Sequence, residues 1–146
     1  MQLEKSYKVV IVGAGPAGIS TALNLQAMGI KDIAIVEKYA FPRYKCCAGY
    51  ITNKTKNEYE KLGLNIETCH YSLIKDFNIL FKNNDRLKII NKFLYTNDKI
   101  DRVELDAAFF NLAKEKGIDV FENSRVVAND IDNNILLTAD GRRYIY

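Results

Sequence analysis

The chain has 146 residues, 48% of them apolar, and a formal net charge of +3. That length supports one globular domain with a core, and is too short for two full domains. A charge this small, carried by interspersed Lys and Asp without an Arg-rich block or interleaved aromatics, argues against nucleic acid as a partner.

Met1–Lys8 is polar, and only four apolar residues, Val9–Val12, precede Gly13, so this end reads as neither a signal peptide nor a membrane span. Tyr7–Val12 is mostly β-branched and predicts a buried parallel strand. Gly13-Ala14-Gly15-Pro16-Ala17-Gly18 follows it directly. Pro16–Met28 then reads as a helix, with Ile19, Ala22, Leu23 and Ala27 on one stripe and Gly29 as its stop. Ile33–Val36 is a second strand, and Glu37 stands 19 positions after Gly18.

This is the dinucleotide-binding fingerprint, and each residue has a mechanical task. Gly13 allows the turn out of the strand, Gly15 lets backbone approach a pyrophosphate, and Gly18 lets helix and strand pack closely. The helix start offers N–H groups and a partial positive charge, and Pro16 costs nothing in the first turn. Glu37 accepts from a ribose diol and repels a 2′-phosphate, which favours FAD or NAD over NADP.

Tyr39–Tyr50 is irregular, broken by Pro42 and Gly49, and Thr52–Leu62 reads as a short polar helix. Ser72–Phe81 and Arg86–Ile90 predict an antiparallel pair turning at Asn83-Asn84-Asp85. Asp101-x-x-Glu104 resembles a capping box that opens a helix to Lys116, closed by Gly117. Ile118–Phe121 is the third parallel strand. Arg125–Ile131, Asn134–Thr138 and Arg143–Tyr146 predict a meander turning at Asp132–Asn134 and Asp140-Gly141. The apolar run Tyr144–Tyr146 looks unfinished, and the pattern reads as a truncated domain.

Three further groups carry possible chemistry. Phe41-Pro42-Arg43-Tyr44-Lys45-Cys46-Cys47-Ala48-Gly49 combines cations, thiols and a flexible backbone; its alternative is an ordinary surface loop. Arg102, near the expected helix start, opposes the macrodipole, which points to a role on a phosphate or flavin, or else to a pair with Asp106 one turn on. His70 is the single histidine, has no metal-ligand spacing around it and reads as solvent-facing, so no metal site is expected. Three cysteines, two of them adjacent, make no disulfide framework, and reduced thiols suit a cytoplasmic protein.

The opening fingerprint together with Phe41-Pro42-Arg43-x-Lys45-x-Cys47-Ala48-Gly49 resembles the geranylgeranyl reductase family of FAD-dependent oxidoreductases. That family is related to p-hydroxybenzoate-hydroxylase-type monooxygenases and to flavin-dependent halogenases. Its usual pattern has glycine where this chain has Ala48. Arg102-Val103-Glu104-Leu105-Asp106 is similar to the family's helix start, whose Arg contacts the cofactor, and Ser124-Arg125-Val126 is similar to its adenine-binding strand.

The resemblance implies an α/β fold: a Rossmann-like FAD-binding β-α-β domain with a three-layer parallel sheet and a β-meander. Residues 63–100 would be inserted antiparallel strands of a partial substrate-side region. It implies FAD held by Gly13, Gly15, Pro16, Ala17, Gly18, Glu37, Lys38, Arg43, Cys47, Ala48, Gly49, Arg102 and Val126, with Cys47 as a catalytic thiol and NAD(P)H as a candidate electron donor. The implied activity is flavin-mediated hydride transfer to a double bond of a small-molecule, isoprenoid-type substrate, with peripheral membrane contact. The alternatives are a monooxygenase and a non-catalytic dinucleotide-binding module. The family's later Ala-Asp-Gly motif lies at a strand end, whereas Ala139-Asp140-Gly141 falls in a hairpin turn here.

Overall fold

A computed structural model describes residues 4–47, 49–70, 72–83, 85–95 and 98–146. In chain order the elements are β1 (Glu4–Ser6), β2 (Val9–Val12), α1 (Pro16–Ala27), β3 (Ile33–Val36), β4 (Tyr50–Thr52), α2 (Asn53–Lys61), β5 (Ser72–Leu80), β6 (Arg86–Tyr95), α3 (Asp98–Glu115), β7 (Asp119–Phe121), β8 (Val126–Asp130), β9 (Ile135–Thr138) and β10 (Arg143–Ile145). No helix among the described residues is long and apolar enough to cross a membrane.

Two compact units emerge, one made of residues 1–43 and 106–146 and the other of 44–105. The first holds a parallel sheet of order β2-β3-β7 and a sheet of order β1-β10-β9-β8. Central β3 is buried at all four residues, as expected of a strand covered on both faces. Complete burial of a side chain such as Ile35 is worth roughly 1.5–3 kcal/mol. α1 buries Ile19, Ala22 and Leu23, while Ala27, expected on the same stripe, is exposed at the helix end. The meander side is held by Val36, Leu136 and Tyr144, with Tyr7, Val10, Phe121 and Val126 packed around them.

β1 was not foreseen. Glu4–Ser6 is polar and short, yet it pairs in parallel with β10, Glu4 opposite Arg143. The meander itself runs as expected, β8 on β9 and β9 on β10, both antiparallel.

The second unit carries a sheet of order β4-β6-β5. Thr52 caps α2 by accepting from the Thr55 N–H at 3.1 Å. The hairpin register pairs Leu80 with Arg86 and Ser72 with Tyr95, so β6 continues beyond the expected Ile90. Asn84, within the expected turn, lies outside the described residues. α3 starts at Asp98, three residues before the expected capping box. Asp101 therefore lies inside the helix, and the Glu104 carboxylate is engaged by His70 instead.

Candidate functional site

The glycine turn has the geometry its spacing predicts. Gly13 sits at φ +103°, and its N–H donates to the Val36 carbonyl at 2.8 Å, extending the β2–β3 ladder by one bond. A Cβ on Gly18 would overlap the Gly13 carbonyl oxygen, so strand and helix could not approach as they do with any larger residue. Gly15 caps α1 without a side-chain bond, Pro16 opens it, and no acid lies in its first turn. The N–H groups of Ala17 and Gly18 are thus left to an outside acceptor, beside the positive end of the helix dipole.

Glu37 is the hub of this region. Only 4% exposed, it accepts from the Ala14 N–H at Oε2 (2.8 Å) and from the Tyr39 N–H at Oε1 (3.0 Å). Its own N–H donates to the Phe121 carbonyl, and its carbonyl accepts from Ser124 N–H, both at 2.8 Å. Each carboxylate oxygen has two acceptor positions, so Glu37 retains acceptor capacity after holding the glycine loop.

A cleft of about 400 Å³ opens beside it, lined by Gly13, Glu37, Lys38, Ser124, Arg125 and Val126 among others. Lys38 Nζ lies 4.7 Å from the Tyr39 ring centroid. Buried Ser124 accepts from Arg142 Nη1 at 2.8 Å and donates to the Glu122 carbonyl at 3.0 Å, which fixes the turn into β8. A second cleft of about 430 Å³, lined by Tyr7, Asp32 and Asp119 among others, lies at the amino ends of the same strands. Ligands of open α/β sheets bind at the carboxyl ends, which selects the Glu37 cleft. At the other end Tyr7 donates to Asp119 Oδ2 at 2.6 Å, and burial followed by that bond pushes its phenol well above the ordinary tyrosine range.

Within the first unit, Arg43 Nη1 lies 3.8 Å from Asp106 Oδ2, with both side chains largely out of water. The guanidinium stands 4.8 Å over the Phe41 ring. Phe41 stacks on Phe110 at 4.4 Å, and its N–H donates to Glu122 Oε1 at 2.6 Å. Within the second unit, Cys47 is an exposed free thiol whose Sγ accepts from Gly49 N–H at 3.5 Å and from Arg102 Nη1 at 3.8 Å. Gly49 is buried at φ +78°, and Ala48 lies outside the described residues. His70 Nδ1 is 2.9 Å from Glu104 Oε2, and that bond holds the Glu104 carboxyl below its ordinary range. Among the described residues no group of three or more His, Cys, Asp or Glu could hold a metal ion.

The expected site residues therefore form two groups, Gly13 to Gly18 with Glu37, Lys38 and Val126 in one unit, and Cys47, Gly49 and Arg102 in the other. Arg43, expected on the cofactor, is paired with Asp106. Sequence reasoning offered Asp106 as a partner of Arg102 and missed its pairing with Arg43 and the Phe41–Phe110 stack; the helical spacing of Asp106 and Phe110 was the signal that could have found them.

A family model described as FAD binding domain matches residues 6–141. The chain belongs to the FAD-binding domain family. FAD is its cofactor, and the glycine turn, the helix start and the Glu37 cleft fit the adenosine and pyrophosphate portion of that group. An uncharacterised protein of Methanosarcina barkeri is 32% identical over 124 residues, covering 84% of this chain and 30% of its own length. A menaquinone reductase of Mycolicibacterium smegmatis is 30% identical over 128 residues, covering 82% of this chain and 29% of its own. The FAD-binding domain also superposes on the flavin-dependent brominase Bmp2 with a TM-score of 0.79 at 20% identity, over 95% of this chain and 35% of that one. That last likeness concerns the fold. The FAD-binding domain described here spans less than a third of the length of either sequence relative.

Proposed function

We propose that the chain is the FAD-binding portion of a flavin-dependent reductase that saturates a carbon–carbon double bond in an isoprenoid-type substrate. The observation that carries this reading is the Cys47 thiol held by Arg102 and Gly49 N–H, in the segment whose residues resemble the geranylgeranyl reductases. Similarity to proteins named menaquinone reductase supports it, since menaquinone bears an isoprenoid chain.

In this reading Ala17 and Gly18 N–H bind the pyrophosphate, Glu37 accepts from the adenosine ribose, and the main chain at Val126 faces adenine. Bound FAD supplies the hydride chemistry. Arg102 keeps a positive charge beside the Cys47 sulfur, and Cys47 faces the substrate side as a catalytic thiol. NAD(P)H is a candidate electron donor. Cytoplasmic location and peripheral contact with a membrane belong to the same proposal.

The test is anaerobic incubation of the whole protein, loaded with FAD and chemically reduced, with a prenylated quinone. After the quinone ring is reoxidised in air, mass spectrometry is expected to show a product still heavier by one H2, with fragmentation placing it in the isoprenoid chain. A product that gains an oxygen atom, and only when dioxygen is admitted, makes the protein a monooxygenase. A protein that binds FAD and changes no substrate under either regime makes it a binding module.

A further inference from the structure

The Ala139-Asp140-Gly141 turn between β9 and β10 does more than reverse the chain. Asp140 Oδ2 holds Arg142 Nε at 3.0 Å, and Asp140 Oδ1 accepts from Thr138 Oγ1 at 2.5 Å. Arg142 Nη1 then donates to the buried Ser124 hydroxyl at 2.8 Å. The Ala139 N–H donates to the Arg125 carbonyl, also at 2.8 Å. One tight turn thus grips the two residues that precede Val126, and all three line the Glu37 cleft. Ser124 and Arg125 need a hold from outside their own strand. They lie before β8 begins, and the β8–β9 register slips between Val126 and Ala128, so the ladder is interrupted at the cleft wall itself.

We propose that Arg142 is a positioning residue for the adenine end of FAD. Acting through Ser124, it fixes the main chain from Ser124 to Val126 in the geometry that meets the base. A guanidinium suits this task because its nitrogens form one rigid fork. The Asp140 carboxylate sets Nε, and Nη1 is thereby aimed at Ser124. Other bonds keep Ser124 in the fold when Arg142 is removed. Its N–H donates to the Glu37 carbonyl at 2.8 Å, and its hydroxyl donates to the Glu122 carbonyl at 3.0 Å. The Arg142 side chain is 37% exposed and that of Asp140 35%, so their pairing adds little to stability. What Arg142 supplies is a wall ordered before the cofactor arrives. The inference rests on the reading that the main chain at Val126 faces adenine, and adds the group that sets that wall.

The test uses the whole protein stripped of FAD. Affinity for FAD is measured by flavin fluorescence titration, with ADP, which carries only the adenosine and pyrophosphate portion, as a competitor. ADP is expected to displace FAD from the wild type. Arg142→Met should weaken FAD and ADP by the same factor, roughly tenfold, the cost of re-ordering about one residue of main chain on binding. Arg142→Lys can reach one partner but lacks the fork, so it should recover part of that loss. The denaturation midpoint should stay near that of the wild type, which separates the effect from a general loss of structure. Should Arg142→Met not fold, Asp140→Asn decides. It leaves Arg142 in place but removes the charge that aims it, and a smaller loss shared by FAD and ADP is expected. An FAD affinity unchanged in the folded variant, or lost while ADP binds as before, overturns the inference and leaves the cleft assignment standing. ADP that fails to compete in the wild type overturns both.

Discussion

The Ala14 N–H donates to Glu37 Oε2 across 2.8 Å in a buried setting, tying the glycine turn to the end of the neighbouring strand. The residue expected to grip a ribose thus also shapes the loop that grips the phosphates. Glu37→Ala leaves the Ala14 N–H buried without an acceptor, which costs about 1–3 kcal/mol. Chemical denaturation of the cofactor-free protein should record that loss. FAD affinity should fall about tenfold as well, the equivalent of one charge-assisted bond of about 1.5 kcal/mol. Unchanged affinity with reduced stability would restrict Glu37 to the structural task.

Gly18 and Gly13 separate packing from backbone strain. Gly18→Ala drives a methyl into the Gly13 carbonyl, and overpacking against backbone costs about 1–3 kcal/mol or more. Gly13→Ala meets nothing within 4 Å but must hold φ +103°, a strain of about 1–3 kcal/mol. Thermal unfolding should rank Gly18→Ala as the more damaging change. Equal losses would mean that the helix shifts freely away from the strand.

The raised Tyr7 phenol makes an alkaline prediction. A group whose value rises on folding contributes stability in its protonated range and loses it as pH climbs. Tyr7 should therefore help fully below its unfolded value near about 10, and progressively less above it. Denaturant midpoints measured across that range should fall with pH in the wild type. Tyr7→Phe should be less stable at neutral pH and show a shallower alkaline decline.

Glu104 predicts the opposite limb. The His70 bond lowers its value, so its contribution is present above the unfolded range near about 4.3 and disappears as pH falls through the folded value. Hydrogen exchange around residues 66–70 should quicken in acid, and Glu104→Gln should show that quicker exchange already at neutral pH. An identical acid profile in the variant would remove His70–Glu104 as the cause.

Much of the first unit was legible because its signals are local. Val9–Val12, the glycine spacing and Ile33–Val36 each announce themselves within a dozen residues, and the meander's turns carry Asn, Asp and Gly where turns need them. What escaped was settled by distant partners. Glu4-Lys5-Ser6 has no strand-forming residue, and becomes one only because β10 offers an edge. Asp101 and Glu104 fit a capping box, but the helix had already begun at Asp98 and His70 took the carboxylate. Arg102 finds its sulfur 55 positions back along the chain, a distance no periodicity encodes.

The parallel pairing of Glu4–Ser6 with Arg143–Ile145 also imposes an order on synthesis. β1 leaves the ribosome well before β10 and has no ladder to join until residues 143–145 follow it out. Meanwhile the whole segment 44–105 must be gathered as a closed loop before residues 106–146 can complete the unit begun by 1–43. The entropy of closing such a loop grows only slowly with length, by about 0.6 kcal/mol per doubling. β1 therefore stays without its partner on the nascent chain until β10 arrives, a non-local pairing of the kind that forms late.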